Sequence, residues 1–238
     1  MGNAELASAL RDRLQLSYPP VAVAFVNQQP SGVHRTEKLA PSACGFWRQA
    51  ENEVFYATME DHFNCPVGAY VMGFPLPEKQ MQELMSEIGF MCTNSYVQEA
   101  EVPQVPKVSE AHAGIVYGPL AQFPSEPDAV LLWLTPQQAM VMNETCGLID
   151  WTQPAPTVYG RPGCAAIPLA MQSGQSSLSF GCVGTRVNTD IPGEYLLMAV
   201  PKSRLGSLEQ SLFVTSEVHQ QMRTYYLQRA AKVPSVRS

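Results

Sequence analysis

The chain has 238 residues, of which 45% are apolar and only 15% charged, with 15 basic against 21 acidic side chains and a formal charge of −6. That length is enough to bury a real core in one large or two small domains, and the composition excludes a disordered, charge-patterned chain. The acidic balance disfavours non-specific binding to nucleic acid or to an anionic membrane.

Along the chain, "NAELASALRDRLQL" places Leu6, Leu10 and Leu14 at four-residue spacing, which predicts an amphipathic helix rather than a secretory signal. "VAVAFV" (21–26) is a continuously apolar run and reads as a strand covered on both faces. Ser42 is placed to cap a short helix, with Cys44 in its first turn. Val54-Phe55-Tyr56 is β-prone. Pro66 suits a first helical position, which puts Cys65 at or near an N-cap. "PLPEKQMQELMSEIGF" predicts a helix with Met81, Leu84, Met85 and Ile88 on one stripe and Gly89 able to end it. "FMCTNSYV" (90–97) reads as a strand, and "EVPQVPKVSEAHAG" as the connection onward.

In the second part, "AVLLWL" and "YLLMAV" read as buried strands, and Thr135-Pro136 opens a helix that ends near Cys146-Gly147. Cys164 follows Gly163 and opens a small-residue segment, while Cys182 lies between Gly181 and Gly184 as in a tight turn. From Ser207 to about Ala231 the chain reads as a helix with Leu208, Leu212, Met222 and Tyr226 inward, and its "LFVTSEV" portion is β-branched enough to allow a break. No apolar run approaches the ~20 residues that cross a bilayer. The chain reads as cytoplasmic, where six cysteines should not form three structural disulfides.

The pattern also suggests a duplication. "PPVAVAFVNQQP" and "EPDAVLLWLTPQQ" match, and each precedes a Cys-Gly pair, Cys44-Gly45 and Cys146-Gly147. Cys65 then parallels Cys164, and Cys92 parallels Cys182 in a shared Phe-x-Cys-x-x-x-x-Val frame. The expected fold is mixed α/β of the α+β class, two tandem related halves sharing one core about an approximate internal two-fold. Its N-terminal half spans 1–110 (repeat 18–110) and its C-terminal half 111–238 (repeat 125–205, then a helix).

Spacing excludes familiar sulfur motifs. There is no C-x-x-C, so neither a zinc ribbon nor a thioredoxin-type pair is indicated, and there is no ferredoxin-type run. Cys65, Cys164, Cys182 and Cys44 are the candidate metal ligands, four soft donors suited to an iron–sulfur cluster or another soft metal. Cys92 and Cys146 are left out of that set. Arg161 and Arg186, with Lys202 and Arg204 nearby, are candidates for holding an anionic cofactor or offsetting cluster charge. A second reading makes Cys65 the nucleophile of a thiol-dependent enzyme on a small molecule, with His62 as its base. A third is a small-molecule-binding module whose cysteines only pack. Small molecules or a redox protein fit as partners; nucleic acid and membrane do not, and the oligomeric state is open.

"YPPVAVAFV", "CPVGAYVMG", "PDAVLLWLTPQQAMVM", "RPGCAAIP" and "LSFGCVGTR" together resemble domain-of-unknown-function family 169, from about Leu14 to Lys202. The resemblance implies a shared fold and carries over no catalytic residue.

Overall fold

A computed structural model of the chain describes residues 2–92, 105–147, 158–159 and 162–232. Its strands are β1 (Val21–Val26), β2 (Phe55–Thr58), β3 (Gly114–Pro119), β4 (Ala129–Leu134), β5 (Val158–Tyr159), β6 (Ser177–Ser179) and β7 (Leu196–Pro201). They form one sheet in the order β2-β3-β1-β4-β7-β6-β5. All neighbours are antiparallel except β5, which runs parallel to β6 at the edge. The fold is therefore a mixed α+β one built on an antiparallel sheet.

The apolar runs were read as strands covered on both faces, and the sheet is covered on both. Val21 and Val23 of β1, with Leu131 and Trp133 of β4, join one apolar cluster. The alternate residues Ala22, Ala24, Val130 and Leu132 join the other, as the two-residue period of a strand requires. Helices α1 (Asn3–Leu14), α5 (Pro136–Thr145) and α8 (Lys202–Ala230) cover the second face through residues such as Leu10, Met142 and Leu212. Helices α2 (Ala43–Gln49), α3 (Pro66–Val71) and α6 (Ala166–Ser173) cover the first through Trp47, Val71 and Ile167. Two more helices lie outside these, α4 (Glu78–Cys92) against α3 and α7 (Val183–Thr189) against α2.

Several expectations change in detail. Strand β3 begins beyond residue 110 yet sits between β1 and β2, so the edge of the sheet draws on both stretches of chain. Helix α4 continues through Gly89 to Cys92, so Cys92 is helical and not in a strand; one interior glycine costs only about 1 kcal/mol, too little to stop a helix already under way. The rest of "FMCTNSYV" lies outside the described residues. Helix α8 is unbroken across "LFVTSEV". Leu212 is its last buried residue and His219 still meets Glu144 of α5, but Met222 and Tyr226 beyond it are exposed. Met81, on the apolar stripe expected of α4, is also exposed, as is Met140 of α5. Cys44 and Cys146, paired by sequence order, lie on opposite faces of the sheet, since α2 packs on one side and α5 on the other. The three-and-three correspondence of the cysteines is not kept in space.

Leu10 is fully buried where α1 meets the sheet. Leu10→Ala is expected to cost about 2–5 kcal/mol, read as a lower urea midpoint with an unchanged slope.

Candidate functional site

Three short helices and one turn each bring a cysteine to the same place. At α2, Ser42 is the N-cap and its Oγ accepts the Gly45 N–H at 3.3 Å. The same oxygen lies 2.9 Å from Cys44 Sγ, so a hydroxyl sits against the first sulfur. At α3, Pro66 occupies the first helical position, where its missing N–H costs nothing, and Cys65 is the N-cap as expected. Its Sγ accepts the Gly68 N–H at 3.3 Å. At α7 the anticipated tight turn is a helix start instead, with Cys182 as N-cap. Cys182 Sγ accepts the Thr185 N–H at 3.4 Å and lies 3.2 Å from Thr185 Oγ1. Gly181 before it has φ +75, a left-handed conformation that favours glycine. Cys164 lies in a single 3-10 turn, Gly163–Ala165, that leads into α6.

These four cysteines line one cavity of about 440 Å³. Cys44 and Cys164 are buried, and Cys65 and Cys182 are half-buried. Gly68 makes the convergence possible. A Cβ there would stand 2.5 Å from Ala43 Cβ and 2.9 Å from Cys65 Sγ, so α2 and α3 approach as they do only because residue 68 has no side chain. Apolar walls come from Pro41, Val67, Pro162 and Val183, and Glu87 is the one charged residue among the described lining.

Burial governs the protonation of the sulfurs. It pushes Cys65 from the ordinary thiol value of 9.0 up to about 11, opposed by amide hydrogen bonds from Ala43 and Gly68. It also raises Cys44, against the Ser42 hydroxyl, and it holds Cys164 well above the usual thiol range. Cys164 further feels Cys65, Cys182 and Cys44, in that order, as charges that would oppose its ionisation. At neutral pH these three cysteines are thiols. Among the described residues no three His, Cys, Asp or Glu groups are disposed to hold a single metal ion. Cys44, Cys65, Cys146, Cys164 and Cys182 are free.

The other candidates are placed differently. His62 is buried, with Nδ1 2.7 Å from the Thr58 carbonyl and Nε2 3.0 Å from Tyr117 Oη. A carbonyl only accepts, so Nδ1 carries the proton and donates to Thr58, and Nε2 of the neutral ring accepts from the tyrosine. Burial lowers His62 to about 4. Both ring nitrogens are thus engaged away from Cys65, and His62 does not line the cavity. Arg186 donates to the carbonyls of Pro192, Phe180 and Tyr195 and so clamps its own loop instead of facing a ligand. Lys202 pairs with Glu126, and Arg204 donates to the Gly174 carbonyl. Arg161 lies outside the described residues.

The family model of the uncharacterised ArCR proteins, DUF169, matches residues 9–211. The chain belongs to that family. No curated protein and no solved structure matches it. The DUF169 match contains all four cavity cysteines, together with Ser42, Gly68, Tyr117 and Thr185, which sequence reasoning did not single out as site residues. Thr185 had a signal in hindsight: it stands three residues after Cys182, where an N-cap side chain meets the first free amide.

Gly68→Ala is expected to force α2 and α3 apart, lowering the melting temperature and exposing Cys44 and Cys65 to alkylation. The thiol shifts predict a pH effect as well. The unfolded chain ionises Cys65 near 9.0 while the folded chain holds its proton to about 11, so stability is full below about pH 9 and falls as pH rises toward 11. Urea titrations across that range check the sign.

Proposed function

We propose that this DUF169 protein binds an iron–sulfur cluster, or another polynuclear soft-metal centre, through Cys44, Cys65, Cys164 and Cys182, and serves a redox or accessory role in a reducing compartment. The observation that carries this reading is the convergence of four cysteines, distant in sequence, on one cavity. Four thiolates are the ligand set of common clusters, and amide donors to sulfur are among the levers that tune their potential. Gly68, Thr185 and the hydroxyl groups of Ser42 and Thr185 supply such donors.

A cluster asks less of the sulfur spacing than one ion does. A single tetrahedral metal with bonds of about 2.3 Å needs its sulfurs about 3.8 Å apart, and no three of the described groups are disposed around one such point. A cluster spreads its metal atoms among the ligands and so tolerates wider sulfurs. The pocket then joins Cys44 and Cys65 from one stretch of chain to Cys164 and Cys182 from the other. The thiol-enzyme reading has less support, because burial keeps Cys65 protonated and His62 is turned to Thr58 and Tyr117.

Ligation must displace thiol protons, so loading should weaken as pH falls. Anaerobic reconstitution with iron and sulfide is expected to give a brown protein with broad visible absorption. Cys164→Ala should abolish the colour, while Cys146→Ala, on the opposite face, should keep it. A colourless, metal-free chain whose four pocket cysteines all label rapidly with iodoacetamide would exclude the reading.

A further inference from the structure

One buried polar pair in the core behind the pocket has no role in the proposed ligation. Tyr117 is fully buried on β3, and His62 is 1% exposed in the turn before α3. They sit among aromatic rings: Phe46 is 4.9 Å from the His62 ring and stacks on Tyr117 at 5.7 Å, and Phe74 is 4.9 Å from His62. Apolar side chains would fill such a place without the cost of burying polar atoms. What the polar pair adds is a chain of two hydrogen bonds, Tyr117 Oη to His62 Nε2 and His62 Nδ1 to the Thr58 carbonyl.

The main chain of His62 also meets a pocket cysteine. The His62 carbonyl accepts the Cys65 N–H at 3.0 Å, so the main chain that sets Cys65 is tied to the ring that β3 holds. Phe46, packed on both rings, lies two residues beyond Cys44 on α2. The pair thus reaches the backs of two elements that carry pocket cysteines. Asp61 reinforces the same turn, since its carboxylate accepts the Thr58 N–H at 2.7 Å and is held by Arg35.

We propose that His62 and Tyr117 are positioning residues of the sulfur site, a neutral donor–acceptor clamp from strand β3 that fixes the turn presenting Cys65. This rests on the cysteine pocket described above, and it assigns His62 a role other than that of a base. The clamp needs one donor toward Thr58 and one acceptor toward Tyr117, and needs no charge. A glutamine offers the same two functions through its amide.

The test compares Tyr117→Phe, His62→Leu and His62→Gln in the metal-free protein, by the iodoacetamide labelling of Cys65 relative to Cys146 on the far face. Loss of one buried hydrogen bond should raise local opening, and hence that ratio, about fivefold in Tyr117→Phe and at least as much in His62→Leu. His62→Gln should stay within about twofold of the parent. Tyr117→Phe removes only one oxygen, so it keeps the test intact should His62→Leu fail to fold. A ratio unchanged in Tyr117→Phe, or a rise shared equally by Cys146, would overturn the clamp. The same variants are then reconstituted anaerobically. Tyr117→Phe should alter the visible and electron-spin spectra of the loaded site, while His62→Gln should keep those of the parent. A parent protein that takes up no iron counts against the cluster alone, and the labelling ratio still decides the clamp.

Discussion

When β1 pairs antiparallel with β4 over Val21–Val23 and Ala129–Leu131, the two stretches of chain that carry the cysteines are laid side by side. Everything at the pocket depends on that pairing. From β1 the chain leads through α2 and β2 to α3, which delivers Cys44 and Cys65. After β4 it returns through α6 and α7, which deliver Cys164 and Cys182. All four arrive at one cavity because α2, α3 and α6 pack on the same face of the sheet and α7 packs on α2.

The energetic tension in the pocket lies between packing and charge. An apolar, close-packed surround favours a neutral thiol, and burial raises Cys44, Cys65 and Cys164 accordingly. Ligation by a soft metal demands thiolates. The hydrogen bonds from Gly68 and Thr185, and the hydroxyls beside Cys44 and Cys182, offset part of that cost by placing donors where negative charge would gather. Under the proposed ligation, Cys44, Cys65 and Cys164, which burial holds as thiols, would give up their protons on loading. His62 and Tyr117 complete the picture from the other side, as a satisfied polar pair in an aromatic core whose geometry leads to Cys65.

Local signals were legible wherever a residue type carries its own conformational preference. Pro66 marked the start of α3 and put Cys65 at its cap. Thr135 and Pro136 marked the start of α5, where the structure adds Gln138 to complete a capping box. The continuous apolar runs at β1, β4 and β7 announced a sheet covered on both faces. Where the signal was weak the reading slipped. Cysteine is not a typical cap, so the helix after Cys182 went unseen, and glycine 89 looked like a stop although the helix passes through it.

By itself, then, the sequence determined most elements, the mixed α+β class and the four cysteines worth grouping, because propensity, capping and periodicity act over a few residues. Only the tertiary structure decided that Cys146 belongs to the opposite face, that Arg186 serves its own loop, and that His62 answers to Tyr117. Those outcomes turn on which face a helix packs against and on partners such as Tyr117, 55 residues from His62. Strand order and helix side are properties of the whole packed sheet, and no short stretch of this chain encodes them alone.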